Sequence, residues 1–117
     1  MLRKTSSPVT VDFDRAGGSL VLARVDIWKA AADGWELQAS TEFKDAVKPT
    51  ESASLALPKG SYTGVFQCFV QESLNGRYKF ELRVGGKATF ADSGDVNTTP
   101  SKDDTKVFKD QFVVEVR

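Results

Sequence analysis

No histidine occurs anywhere in the 117 residues. That removes Ser-His-Asp and Cys-His nucleophile arrangements, the HExxH zinc site and the commonest general base near neutral pH. A single cysteine, Cys68, excludes an internal disulfide and a cysteine-based metal cluster. It falls on the inward face of a strand, where a thiol serves as a small hydrophobe rather than a reactive group. Net charge is also missing: sixteen basic residues cancel sixteen acidic ones, so no global field favours nucleic acid or an anionic membrane. No apolar run reaches the roughly 18 residues of a membrane span, and no secretory h-region follows Met1. The expected location is cytoplasmic, or secreted if a signal has been trimmed. Carboxylate and lysine chemistry survive these exclusions. No pair or motif points to either, and the chain is expected not to be an enzyme.

What is present is a period of two. Tyr62, Gly64, Phe66, Cys68 and Val70 alternate with Thr63, Val65, Gln67, Phe69 and Gln71. Tyr78, Phe80, Leu82 and Val84 alternate with Lys79, Glu81 and Arg83. Such alternation marks strands with one buried face. Asn75-Gly76 signals a two-residue hairpin between them, but that loop would set Val70 against Glu81 and Cys68 against Arg83. A three-residue loop at 74–76 sets Val70 opposite Phe80, Cys68 opposite Leu82 and Phe66 opposite Val84. A one-residue slip turns every side chain over, so the pattern favours the three-residue loop. Just upstream, Leu57-Pro58-Lys59-Gly60-Ser61-Tyr62 reads as a corner between sheets, with the Tyr62 hydroxyl returning to upstream backbone.

Other segments follow the same rule. Residues 1–8 are polar and expected to fray, leaving one domain over 9–117. Val9, Val11 and Phe13 open a first strand that stops at Arg15-Ala16-Gly17-Gly18. Residues 19–28 form a second, with Val21, Ala23, Val25 and Ile27 inward. A five-residue loop over 30–34 then sets Ile27 opposite Leu37 and Val25 opposite Ala39, with Trp35, Leu37, Ala39, Thr41 and Phe43 inward. Residues 53–57, 87–91 and 107–117 complete the set, and Gly85-Gly86 makes a tight turn. About eight short strands with Gly/Pro turns, and no strand-helix alternation, mean an all-β antiparallel sandwich, immunoglobulin-like or jelly-roll.

Two places could carry binding chemistry. The outward face of the central hairpin brings Val65, Gln67 and Phe69 beside Arg83: Phe69 is large for a solvent-facing position, and Gln67 and Arg83 offer donors. Trp28 shares the face of Arg24 and Asp26, where it is either an exposed aromatic or a cover for a loop or sheet edge. The second place is the segment 92–105, DSGDVNTTPSKDDT, which concentrates Asp92, Asp95, Asn97, Asp103 and Asp104. Hard cations such as calcium take oxygen ligands from Asp/Asn-rich loops. Its opening is similar to an EF-hand loop, but Thr99, Pro100 and Lys106 stand where an acid, a glycine and the twelfth-position ligand belong. A solvated acidic loop is the expectation, with a non-EF calcium site as the alternative.

From Val9 to Val84 the order of features resembles the bacterial pre-peptidase C-terminal type of domain. The shared points are V-x-F with its Gly-Gly turn over 11–18, VDIW over 25–28, LPKGSY over 57–62 and the closing GRYKFELRV. The resemblance implies a β-sandwich accessory module without catalysis, sometimes binding calcium or polymeric substrates. A binding module with a protein or carbohydrate partner is therefore the leading expectation. A self-associating structural subunit, a homo-oligomer using exposed edges or the Phe69 face, is the alternative. A histidine-free carboxylate enzyme comes last.

Overall fold

The computed structural model describes residues 2–16, 20–45, 48–71, 77–95 and 105–117. Nine strands are seen among them: β1 (Leu2–Thr5), β2 (Val9–Ala16), β3 (Leu20–Ala31), β4 (Gly34–Phe43), β5 (Thr50–Leu55), β6 (Gly60–Gln71), β7 (Arg77–Val84), β8 (Lys87–Asp95) and β9 (Thr105–Val116). They build two sheets, ordered β1-β9-β6-β3-β4 and β5-β2-β7-β8. All pairings are antiparallel except β1 with β9, which is parallel. The fold is an all-β sandwich.

Alternation produces the core directly. On β2, Val9, Val11 and Phe13 are buried while Thr10, Asp12 and Asp14 turn outward. Val21, Ala23, Val25 and Ile27 on β3 are buried as the pattern predicts. Phe13 stacks on Phe43 at 5.5 Å, and Phe66 on Phe90 at 5.4 Å, between ring centroids. At the corner, Tyr62 is 2% exposed and donates its hydroxyl to Pro58 O at 2.5 Å. Gly85 and Gly86, at φ 60° and 78°, make the two-residue turn joining β7 to β8, where left-handed angles favour glycine.

The expected hairpin is not there. β6 and β7 are consecutive strands but lie in opposite sheets. β6 is flanked by β3 and β9, so Cys68 stands opposite Ala23 and Phe108. β7 is flanked by β2 and β8, so Leu82 stands opposite Phe13 and Phe90. The proposed loop at 74–76 lies outside the described residues. The physical reason is that both inner faces of a sandwich share one core: Phe66 and Phe80 meet across it at 5.9 Å. The same alternation is satisfied without the two strands pairing.

Three further expectations change. β3 and β4 are joined by a two-residue turn at Ala32-Asp33, and a bulge between Ile27 and Trp28 resets the register. Residues Leu2–Thr5, expected to fray, instead pair with β9 from Leu2 opposite Val113 to Thr5 opposite Val116. β8 does not stop at Ala91 but runs to Asp95, taking Asp92 out of the acidic loop and into a strand.

The sequence marks Arg15 only as the end of a strand, yet its side chain is 5% exposed and turns inward. Its guanidinium donates to Val21 O at 2.7 Å, Lys48 O at 2.9 Å and Phe43 O at 3.2 Å. It also reaches Asp45 O and the Glu51 carboxylate. One fork of donors thus ties carbonyls from several segments together at the end of the sandwich.

Candidate functional site

Sheet order and register place Val65, Gln67, Phe69 and Trp28 on the outer face of the five-stranded sheet. Arg83 is on the outer face of the other sheet, on the opposite side of the molecule. The expected grouping of Gln67 with Arg83 is therefore lost, for the same reason as the hairpin. Arg83 instead makes ion pairs with Asp14 and with Glu81, in a polar face where Thr50 donates to Asp14 at 2.7 Å. The hydrogen bond to Asp14 is the leading cause that raises the Arg83 pKa.

On the five-stranded sheet the register defines rows of neighbours. Val113, Thr63, Trp28 and Leu37 stand side by side on β9, β6, β3 and β4. The next row is Gln111, Val65, Asp26 and Ser40, followed by Lys109, Gln67, Arg24 and Glu42. Phe69 comes last, between Leu22 and Val107. The outer face thus carries an apolar end around Trp28 and a second one around Phe69, separated by a polar belt. In that belt Arg24 donates to Asp26 at 2.9 Å and to Ser40 Oγ at 3.1 Å. The hydrogen bond to Asp26 raises the Arg24 pKa.

The end around Trp28 owes its shape to the bulge. With Trp28 opposite Leu37 and Ile27 opposite Ala39, Gln38 is the extra residue on β4. Beyond it, Ala39, Thr41 and Phe43 keep the inward parity the sequence predicts. Before it, Trp35 and Leu37 are turned to the outer face, where they are 62% and 45% exposed. Trp28, Trp35, Thr63, Val65 and Gln111 line an open groove of about 480 Å³. Sequence reading put Trp35 and Leu37 in the core because Trp35-Glu36-Leu37-Gln38-Ala39 alternates with no break at the bulge. The tight turn at Ala32-Asp33 was the signal that could have found them, since a two-residue connection sets Trp28 against Leu37.

Of the candidate calcium ligands, Asn97, Asp103 and Asp104 lie outside the described residues, and Asp95 is the last residue of β8. Asp92 has inward parity, opposite Phe80. Its carboxylate accepts hydrogen bonds from Tyr78 Oη at 3.0 Å and Ser93 N at 2.9 Å. Among the described residues no group of three or more His, Cys, Asp or Glu side chains comes together. Cys68 is fully buried; desolvation pushes its thiol up to about 12, with Arg15 opposing and Asp92 adding to the shift. A neutral, shielded thiol is a core group. Among the described residues no helix is long and apolar enough to cross a membrane.

No family model matches the sequence, and no curated protein matches it. A solved structure similar to this chain is that of a DUF4425 family protein from Bacteroides ovatus. The two are 11% identical over 93% of this chain and 96% of the other, with a TM-score of 0.47.

Proposed function

We propose that the protein is a non-catalytic binding module that docks its ligand on the outer face of the five-stranded sheet, at the end formed by Trp28, Trp35, Val65 and Thr63. The observation that carries this reading is the β4 bulge, which turns Trp35 and Leu37 to the same side as Trp28. An aromatic of this size left 62% exposed loses the burial that stabilises most tryptophans. Indole faces supply large, rigid contact area, and Gln111 and Thr63 beside them supply directional hydrogen bonds. A sugar ring of a polymer or an apolar protein surface fits that combination. It is the kind of role implied by the resemblance to pre-peptidase C-terminal domains.

Trp28 and Trp35 report binding directly through their emission. Soluble cello-, xylo- and manno-oligosaccharides are titrated against the protein while tryptophan emission and acrylamide quenching are followed. Saturable change that disappears in Trp35→Ala, with an unchanged melting temperature, supports a glycan ligand. Self-association is the second reading, favoured by the position of β4 at the sheet edge with Trp35 and Leu37 exposed on it. Sedimentation over a hundredfold range of concentration separates the two. A monomer throughout, with emission indifferent to every sugar, would remove self-association and these glycans from this face.

A further inference from the structure

A second opening lies between the sheets, away from the tryptophan face. β1 covers the edge of β9 only from Val113 to Val116, whereas β9 begins at Thr105. Among the described residues the backbone of 105–112 has no partner on that side, and such an edge is a template for an added strand. Beside it is a groove of about 390 Å³ lined by Phe66, Phe80, Phe90 and Phe108, with Asp92 on the β8 side and Asp110 on the β9 side. Asp110 stands opposite the buried Phe66, at a position whose parity calls for an apolar residue.

β1 shows what this edge accepts. Arg3, opposite Val114, sends its guanidinium across the gap to β8, donating to Thr89 Oγ1 at 3.0 Å and to Ala88 O. A basic side chain on an added strand thus already ties the two sheets together at one end. Moving along the same line, the inward positions on β9 are Phe112, in ring contact with Phe90 of β8, and then Asp110, which lines the groove together with Asp92. Among the described residues neither carboxylate has an ion-pair partner. Asp92 accepts from Tyr78 Oη and Ser93 N, and Asp110 from Gln111 N at 2.8 Å. Lys109 has outward parity and also lines the groove, with no ion pair to either carboxylate among the described residues, and Lys106 Nζ lies over the Tyr78 ring at 5.3 Å.

We propose that this groove takes an extended peptide as an additional strand, continuing the line of β1 parallel to β9, with an apolar side chain against Phe112 and Phe90 and a basic one directed at Asp110 and Asp92. The main chain supplies affinity through the open ladder, and the carboxylates supply selectivity.

The probe is the peptide acetyl-TLTKTL-amide, whose last residue stands opposite Phe112 and so stops short of Leu2, compared with acetyl-TLTETL-amide and followed by amide NMR shifts of the full chain. Shifts should concentrate in residues 106–112 and 90–92, and the glutamate peptide should bind about tenfold more weakly, as for loss of one close charge pair. Asp110→Lys, an exposed change, should reverse that preference. Trp35→Ala should leave peptide binding intact, which keeps this result separate from the fate of the tryptophan face. No shift at millimolar peptide, equal binding of the two peptides, or shifts centred on Trp28 and Trp35 would overturn the proposal.

Discussion

Gly64→Ala probes the pairing of β6 with β9 at its tightest point. Gly64 stands opposite Phe112, and an added Cβ would lie 2.2 Å from Phe112 Cζ and 2.5 Å from both Cε atoms. Ordinary contact starts near 3.4 Å, so the overlap exceeds an ångström and the ring must move. Phe112 is 1% exposed and meets Phe90 edge-on at 6.0 Å, while Phe90 stacks on Phe66 at 5.4 Å. Movement is therefore resisted by two further rings. Overpacking of this kind costs about 1–3 kcal/mol, and alanine returns about 0.5–1 kcal/mol because glycine is weak within a strand. The size of the overlap puts the first figure at its upper end, about 2–3 kcal/mol, and the net loss of about 1–2.5 kcal/mol should lower the melting temperature by roughly 3–15 °C. Urea denaturation of Gly64→Ala, Phe112→Leu and the double variant gives the decisive number. Leucine makes room for the new methyl, so the two penalties should fall short of additive by about 1 kcal/mol. A Gly64→Ala protein as stable as its parent, or strictly additive losses, would refute the packing described for this pair.

Other outcomes follow from the same geometry. Arg15→Met should cost about 3 kcal/mol in urea denaturation, near the low end for a broken buried ion pair because Glu51 keeps 17% of its side chain exposed. Tyr62→Phe removes the bond to Pro58 O and should cost about 0.5–1.5 kcal/mol, read as a lower urea midpoint with unchanged slope. Cys68 should resist thiol reagents until the protein unfolds. Its pKa is raised on folding from 9.0 to about 12, so the folded state holds a proton that the unfolded chain loses. Its contribution is complete below pH 9 and is lost toward pH 12, at up to about 1.4 kcal/mol per unit; a parent whose stability falls no faster than that of Cys68→Ala in this window would contradict it. Phe69→Ala, at a 45% exposed position, should change stability by no more than about 0.5 kcal/mol in thermal melts.

How far the sequence could be read depended on the range of the interaction involved. The facing of Val21, Val25, Phe66, Phe80 and Val84 was legible because alternation is local and a strand has a period of two. Tyr62 was legible because a hydroxyl four residues from its acceptor is a local contact as well. Arg15 was not, since its partners come from four separate segments between Val21 and Glu51. Half of the candidate face, Trp28 and Val65, came from alternation. Trp35 and Leu37 did not, because one extra residue on β4 turns the strand over without a mark in its pattern.

The sequence by itself determined that this is an all-β sandwich, that histidine chemistry has no place in it, and which side of most strands meets the core. Only the tertiary structure decided which strands are neighbours. Consecutive β6 and β7 were assigned to opposite sheets, Leu2–Thr5 was recruited beside β9, and Asp92 was carried into a strand facing the interior. The reason is that a hydrophobic face specifies burial but not the surface that buries it. Pairing depends on hydrogen bonds and ring contacts between residues far apart in the chain, such as Gly64 with Phe112, and one strand's pattern holds no record of its partner.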